Sequence, residues 1–177
     1  MRKSSTALLA IALMLTTLGV VILFSTSSSH FYRQAGFVAV AIALCVLVIR
    51  VPYQKWRPLA LLVGLGAVIL LIMTAIPGVG IEINGSRRWL KFGPVNIQPS
   101  EIAKFALILL MARWLSDNQR YIKSIKQGVV IPGVIILVFA FLIMLQPDYG
   151  TTVLLGAIGV AMMFAGGTRF GYLLILA

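Results

Sequence analysis

Cysteine, histidine and acid are what this chain has least of. A single cysteine, Cys45, stands inside an apolar run, so no intrachain disulfide forms and no cysteine cluster holds a metal. The single histidine, His30, sits beside Phe31 and Tyr32 at the edge of a segment, which suits an interfacial residue better than a catalytic base. Charged residues make up 11% of the 177 positions against 60% hydrophobic, which excludes an ordinary soluble domain. Four acids, Glu82, Glu101, Asp117 and Asp148, stand against 15 Lys and Arg, for a net charge of +11. Such an excess can signal nucleic acid, but these bases are dispersed between apolar runs rather than gathered on one polar face, and positive-inside topology accounts for them. Low-complexity tails and repeats of solenoid period are also lacking.

What is present is a succession of apolar runs. They predict an all-α integral membrane protein, a polytopic helical bundle of six transmembrane helices plus the start of a seventh, in a single transmembrane domain over 1–177. The helices are expected near 7–24, 31–50, 58–76, 99–115, 128–145 and 148–165, with an incomplete one over 170–177 and a loop over 77–98. The run from Ala7 to Phe24 holds 18 residues, longer than a usual signal-peptide core, and the serine-rich 25–29 that follows offers no clear cleavage site. A retained first span is therefore expected. At about 1.5 Å per residue, 170–177 reaches about 12 Å and cannot cross, so the complete protein is expected to continue beyond Ala177.

The basic residues orient the bundle. With the amino end inside, the cytoplasmic side receives Arg2, Lys3, Arg50, Lys55, Arg57, Arg113, Arg120, Lys123, Lys126 and Arg169, and the outer side Arg33, Arg87, Arg88, Lys91 and Lys104. The inner side is favoured two to one. Trp and Tyr fall at span ends, as in an aromatic belt.

This topology places Glu82, Glu101 and Asp148 outside. Gln98-Pro99-Ser100-Glu101 and Gln146-Pro147-Asp148 each predict Pro at a first helical position with a carboxylate in the first turn, at the positive end of the helix dipole. Simple capping explains the acids. It explains less well Lys104, several residues into a membrane helix, where charge is costly unless paired or facing a polar cavity. An outer polar cavity involving Arg87, Arg88, Glu101, Lys104 and Asp148 is the alternative to plain caps, and Arg88 or Lys91 could equally touch lipid phosphates.

Asn84-Gly85-Ser86-Arg87-Arg88-Trp89, then Gly93-Pro94, then Gln98-Pro99-Ser100-Glu101 with Ala103-Lys104, and later Gln146-Pro147-Asp148 with Gly150-Thr151, resemble in order the motifs of the FtsW/RodA (SEDS) family. The likeness runs through essentially the whole chain, as the amino-terminal portion of a fold of about ten spans. The Asn-Gly-Ser-Arg-Arg-Trp spelling is more similar to FtsW than to RodA.

The resemblance implies a peptidoglycan glycosyltransferase that polymerises lipid II at the outer face of the bacterial cytoplasmic membrane, at the division septum. It implies roles for Arg87, Arg88, Trp89, Lys91 and Gln98 in binding the lipid-linked pyrophosphate, and supporting roles in catalysis for Glu101, Lys104 and Asp148. The aspartate that the family uses as general base lies beyond residue 177, so the chain alone is expected to be inactive. No cofactor is expected within these residues, and a divalent cation is left open for the complete enzyme. Expected partners are lipid II, or undecaprenyl pyrophosphate, and a class B penicillin-binding protein with other divisome membrane proteins, with no nucleic acid. An elongation polymerase, a lipid II flippase and a non-catalytic scaffold are the competing readings; the absence of ionisable residues from the middles of 7–24, 58–76 and 128–145 speaks against translocation.

Overall fold

A computed structural model describes residues 2–26, 28–83, 86–93, 95–169 and 171–172. Of the expected segment 170–177 it describes Gly171 and Tyr172; the rest, and the motif residues Asn84, Gly85 and Pro94, lie outside the described residues. The chain divides into two compact units, Met1–Pro52 and Tyr53–Ala177.

The first unit holds α1 (Arg2–Thr26) and α2 (Ser28–Arg50), which contact each other. The serine-rich stretch expected to separate the two runs is instead mostly helical, since Ser25 and Thr26 close α1 while Ser28 and Ser29 open α2. Hydroxyl residues are compatible with an apolar helix when they bond back one turn. Thr16 and Thr17 do so, each Oγ1 donating at 2.8 Å, to the carbonyls of Ala12 and Leu13. Among the described side chains of 10–52 none is buried.

The second unit begins with a tight turn, Tyr53–Lys55, leading into α3 (Trp56–Ala75). Three strands follow, β1 (Gly80–Ile83), β2 (Ser86–Phe92) and β3 (Val95–Ile97), then α4 (Pro99–Asp117). A π-helical turn, Lys126–Val130, enters α5 (Ile131–Met144), and α6 (Tyr149–Ala165) completes the bundle. Tyr53–Ala75 and Lys126–Met144 are each long and apolar enough to cross a membrane, while Ala10–Ile22, Gln34–Arg50 and Tyr149–Ala165 are shorter apolar helical stretches.

The strands are the main departure from the expected loop over 77–98. They form one antiparallel sheet in the order β1-β2-β3. Trp89, Leu90 and Phe92 set among polar residues give 86–92 the composition of a half-buried strand. Ser86 and Leu90 are buried and Arg87 and Lys91 exposed.

Small residues let the helices approach. On α3, Ala60, Gly64, Ala67, Leu71 and Thr74 make a buried stripe at helical spacing, and α4 answers with Ala103, Ala106, Leu107, Met111 and Leu115. A Cβ added at Gly64 would meet the Leu110 side chain, so a larger residue there must push Leu110 aside. Phe139 and Ile143 of α5 and Leu155 and Met163 of α6 complete the same core. In a bilayer this is the expected way to hold helices together, because lipid tails are as apolar as leucine and association rests on close packing.

Candidate functional site

One end of the second unit gathers polar groups from four elements. β1 follows the end of α3, β3 leads within one residue into α4, and the α5–α6 turn reaches the sheet. Gly80 fixes the first approach, since a Cβ there would run into the carbonyl of Thr74.

The sheet register distributes the two arginines. Gly80 lies opposite Leu90 and Ile81 opposite Trp89, so a regular ladder would set Glu82 opposite Arg88; a bulge between Ile81 and Glu82 sets it opposite Arg87 instead. Glu82 Oε2 accordingly accepts from Arg87 Nε at 3.3 Å. Arg88, left without a partner on β1 by the bulge, turns to the α5–α6 corner. Its Nη2 donates to the Pro147 carbonyl at 2.8 Å and its Nη1 lies 3.6 Å from Asp148 Oδ1. Arg88 Nε is buried without a partner among the described residues.

Asp148 corrects one expectation. The two Gln-Pro-acid segments are not equivalent. In the first, Gln98 is the N-cap, Pro99 opens α4 and Glu101 sits in the first turn. In the second, Asp148 is itself the N-cap of α6, and Pro147 precedes the helix. The difference lies in who supplies the cap: Asp148 Oδ1 accepts from the Thr151 backbone N–H at 3.2 Å and Oδ2 from Thr151 Oγ1 at 2.9 Å, satisfying an orphan donor of the helix start, whereas Gln98 makes no side-chain cap bond. The Asp148 side chain is 9% exposed, so the capping bonds and Arg88 together stabilise its charge.

Gln146, missed as a site residue by sequence reasoning, ties the same turn to α3. It is buried, and its Nε2 donates to the Leu71 carbonyl at 3.1 Å. A glutamine inside an apolar stretch was the available signal, since a buried amide needs a partner. A cleft of about 250 Å³ lies beside this junction, walled by Ala75, Glu82, Ser86, Arg87, Leu145 and Pro147.

The remaining sequence-derived residues stand outside that cleft. Trp89 of β2 is half-buried and Lys91 is exposed. Lys104 Nζ donates to Glu101 Oε1 at 2.8 Å in a separate pair on α4, with Glu101 59% and Lys104 22% exposed. Glu101 thus provides the partner that a lysine at this depth needs. Among the described residues no group of three or more His, Cys, Asp or Glu is arranged to hold a metal ion.

The sequence profile of the FtsW, RodA and SpoVE family, described as cell cycle proteins, matches residues 5–177. The chain belongs to this family. A Pseudomonas fluorescens protein named "Probable peptidoglycan glycosyltransferase FtsW" is 35% identical over 184 residues, covering 96% of this chain and 45% of the relative. The crystal structure of the Thermus thermophilus rod shape determining protein RodA superimposes with a TM-score of 0.83 at 28% identity, covering 96% of this chain and 56% of RodA. A structure concerned with polymerization and crosslinking by a peptidoglycan synthase complex superimposes with a TM-score of 0.82 at 26% identity, over 96% of this chain and 49% of the other. The chain is therefore a polytopic helical membrane protein of the FtsW/RodA/SpoVE fold, and it spans about half the length of the curated relatives it matches.

Proposed function

We propose that the complete protein is a peptidoglycan glycosyltransferase of the FtsW kind, and that the described residues form the outer-facing wall of its lipid II site. The observation that carries the reading is the Arg88 junction: a guanidinium anchored on Asp148 and the Pro147 carbonyl, next to Arg87 on the rim of an open cleft. A leaving pyrophosphate needs preorganised cationic groups, and arginine suits phosphate through its planar donors. In the reaction the 4-hydroxyl oxygen of one sugar bonds to the anomeric carbon of another. The bond from that carbon to phosphate breaks, undecaprenyl pyrophosphate leaves, and the hydroxyl proton passes to a base. The resemblance assigns that base to an aspartate beyond residue 177. Arg87, with Trp89, Lys91 and Gln98 nearby in the chain, faces the substrate; Arg88 and Asp148 hold the wall; Glu101 neutralises and orients Lys104.

The division branch is favoured over elongation by the FtsW-named relatives, at 35%, 34% and 36% identity. The sheet end is then extracytoplasmic, the amino terminus cytoplasmic and the protein placed at the septum. A class B penicillin-binding protein is the partner, in keeping with the synthase complex among the structural relatives. The deciding experiment is lipid II polymerisation by the purified complete protein, with Arg87→Ala and Glu101→Ala variants beside it and residues 1–177 alone as a third arm. Glycan strands are expected from the first and far fewer from the variants. None is expected from the 177-residue chain. A complete protein that moves lipid II across vesicles without polymerising it would overturn the reading in favour of a flippase.

A further inference from the structure

A second cleft in the second unit lies at the opposite end of α3 from the sheet. It encloses about 440 Å³ between the start of α3 and the last turns of α4, with Tyr53, Trp56, Arg57, Leu109, Ala112 and Arg113 among its walls. Arg57 Nη2 pairs with Asp117 Oδ1, and Arg113 Nε lies 3.6 Å from Asp117 Oδ2. Two cations therefore share one carboxylate, leaving the cluster with a net positive charge. A guanidinium carries five donors, and each of these pairings uses one, so donors remain for a second anion.

The depth and shape of the cleft narrow that anion. Tyr53–Ala75 is long and apolar enough to cross a membrane, so Arg57, near its start, lies at headgroup level. Trp56 meets Phe105 edge to face with ring centroids 6.3 Å apart, and Phe105, Leu109 and Ala112 follow one another at helical spacing along α4. An apolar track thus runs from the charged cluster toward the interior of the bilayer. Tyr53 and Trp56 at the mouth suit the interface. A free anion has no use for such a track, while an acyl chain does.

We propose that this cleft binds an anionic phospholipid, its phosphate between Arg57 and Arg113 and an acyl chain along Phe105, Leu109 and Ala112. Basic pockets between membrane helices recognise acidic headgroups in this way.

The test is native mass spectrometry of the purified, delipidated chain titrated with phosphatidylglycerol, with phosphatidylcholine and with inorganic phosphate. Phosphatidylglycerol is expected to bind at least about tenfold more tightly than phosphatidylcholine, and Arg57→Gln or Arg113→Gln to weaken it about fivefold each. Asp117→Asn removes the competing carboxylate and is expected to tighten binding, so it decides the matter even if an arginine variant misfolds. Millimolar phosphate is expected not to displace the lipid. Equal binding of the two lipids, unchanged affinity in folded arginine variants, weaker binding in Asp117→Asn, or displacement by phosphate alone would each overturn the proposal.

Discussion

Arg88 of β2 and Asp148 at the head of α6 face each other at 3.6 Å. The contact goes with a bulge that makes Arg88 the extra residue of β2, giving Glu82 to Arg87 and leaving Arg88 for the α5–α6 corner. It joins the sheet to the bundle, and the first prediction concerns that joint. Arg88→Ala and Asp148→Asn should each destabilise the folded chain by about 1–3 kcal/mol, since a charged hydrogen-bonding group is left with one partner fewer in a largely buried place. A double-mutant cycle on thermal unfolding in detergent should return a coupling above about 0.5 kcal/mol. Strict additivity would reduce the contact to coincidence.

Glu82→Gln tests the other half of the division. That pair is about half exposed on both sides, so its loss should change stability by less than about 1 kcal/mol. If Arg87 faces the pyrophosphate, the same substitution in the complete protein should alter the KM for lipid II more than it alters unfolding. A large loss of stability with unchanged kinetics would make the pair structural.

Lys104→Ala and Glu101→Ala should separate capping from chemistry. The bond between them is partly exposed and stabilises the helix by no more than about 1 kcal/mol. Polymerisation by the complete protein should nevertheless fall in both variants. Turnover that matches the unmodified enzyme would confine the pair to holding the first turns of α4.

Gly64→Leu addresses the packing beneath the site. The new side chain would meet Leu110 across the α3–α4 contact, and overpacking of this kind costs about 1–3 kcal/mol. Gly66→Leu, on the same helix but with nothing within 4 Å of an added Cβ, should be close to neutral in the same unfolding assay. Equal effects at the two positions would mean that the α3–α4 contact does not depend on the glycine.

The sequence by itself determined the membrane character, the order of the helices and the acid in the first turn of α4. Each of these depends on local quantities: the length of an apolar run, the start signal of a proline, the charge at a helix end. It also contained the apolar Trp89, Leu90 and Phe92 of β2, masked by glycine, proline and charge that read as loop. Tertiary structure alone decided which arginine meets which acid. A bulge leaves Arg88 as the extra residue of β2, without a partner on β1, so Glu82 meets Arg87 and Arg88 is left for Asp148. It also decided that Asp148 caps its helix while Glu101 lies within one, and that Gln146 reaches the Leu71 carbonyl across the bundle. Such contacts depend on where separate elements come to rest against one another, which no local pattern encodes.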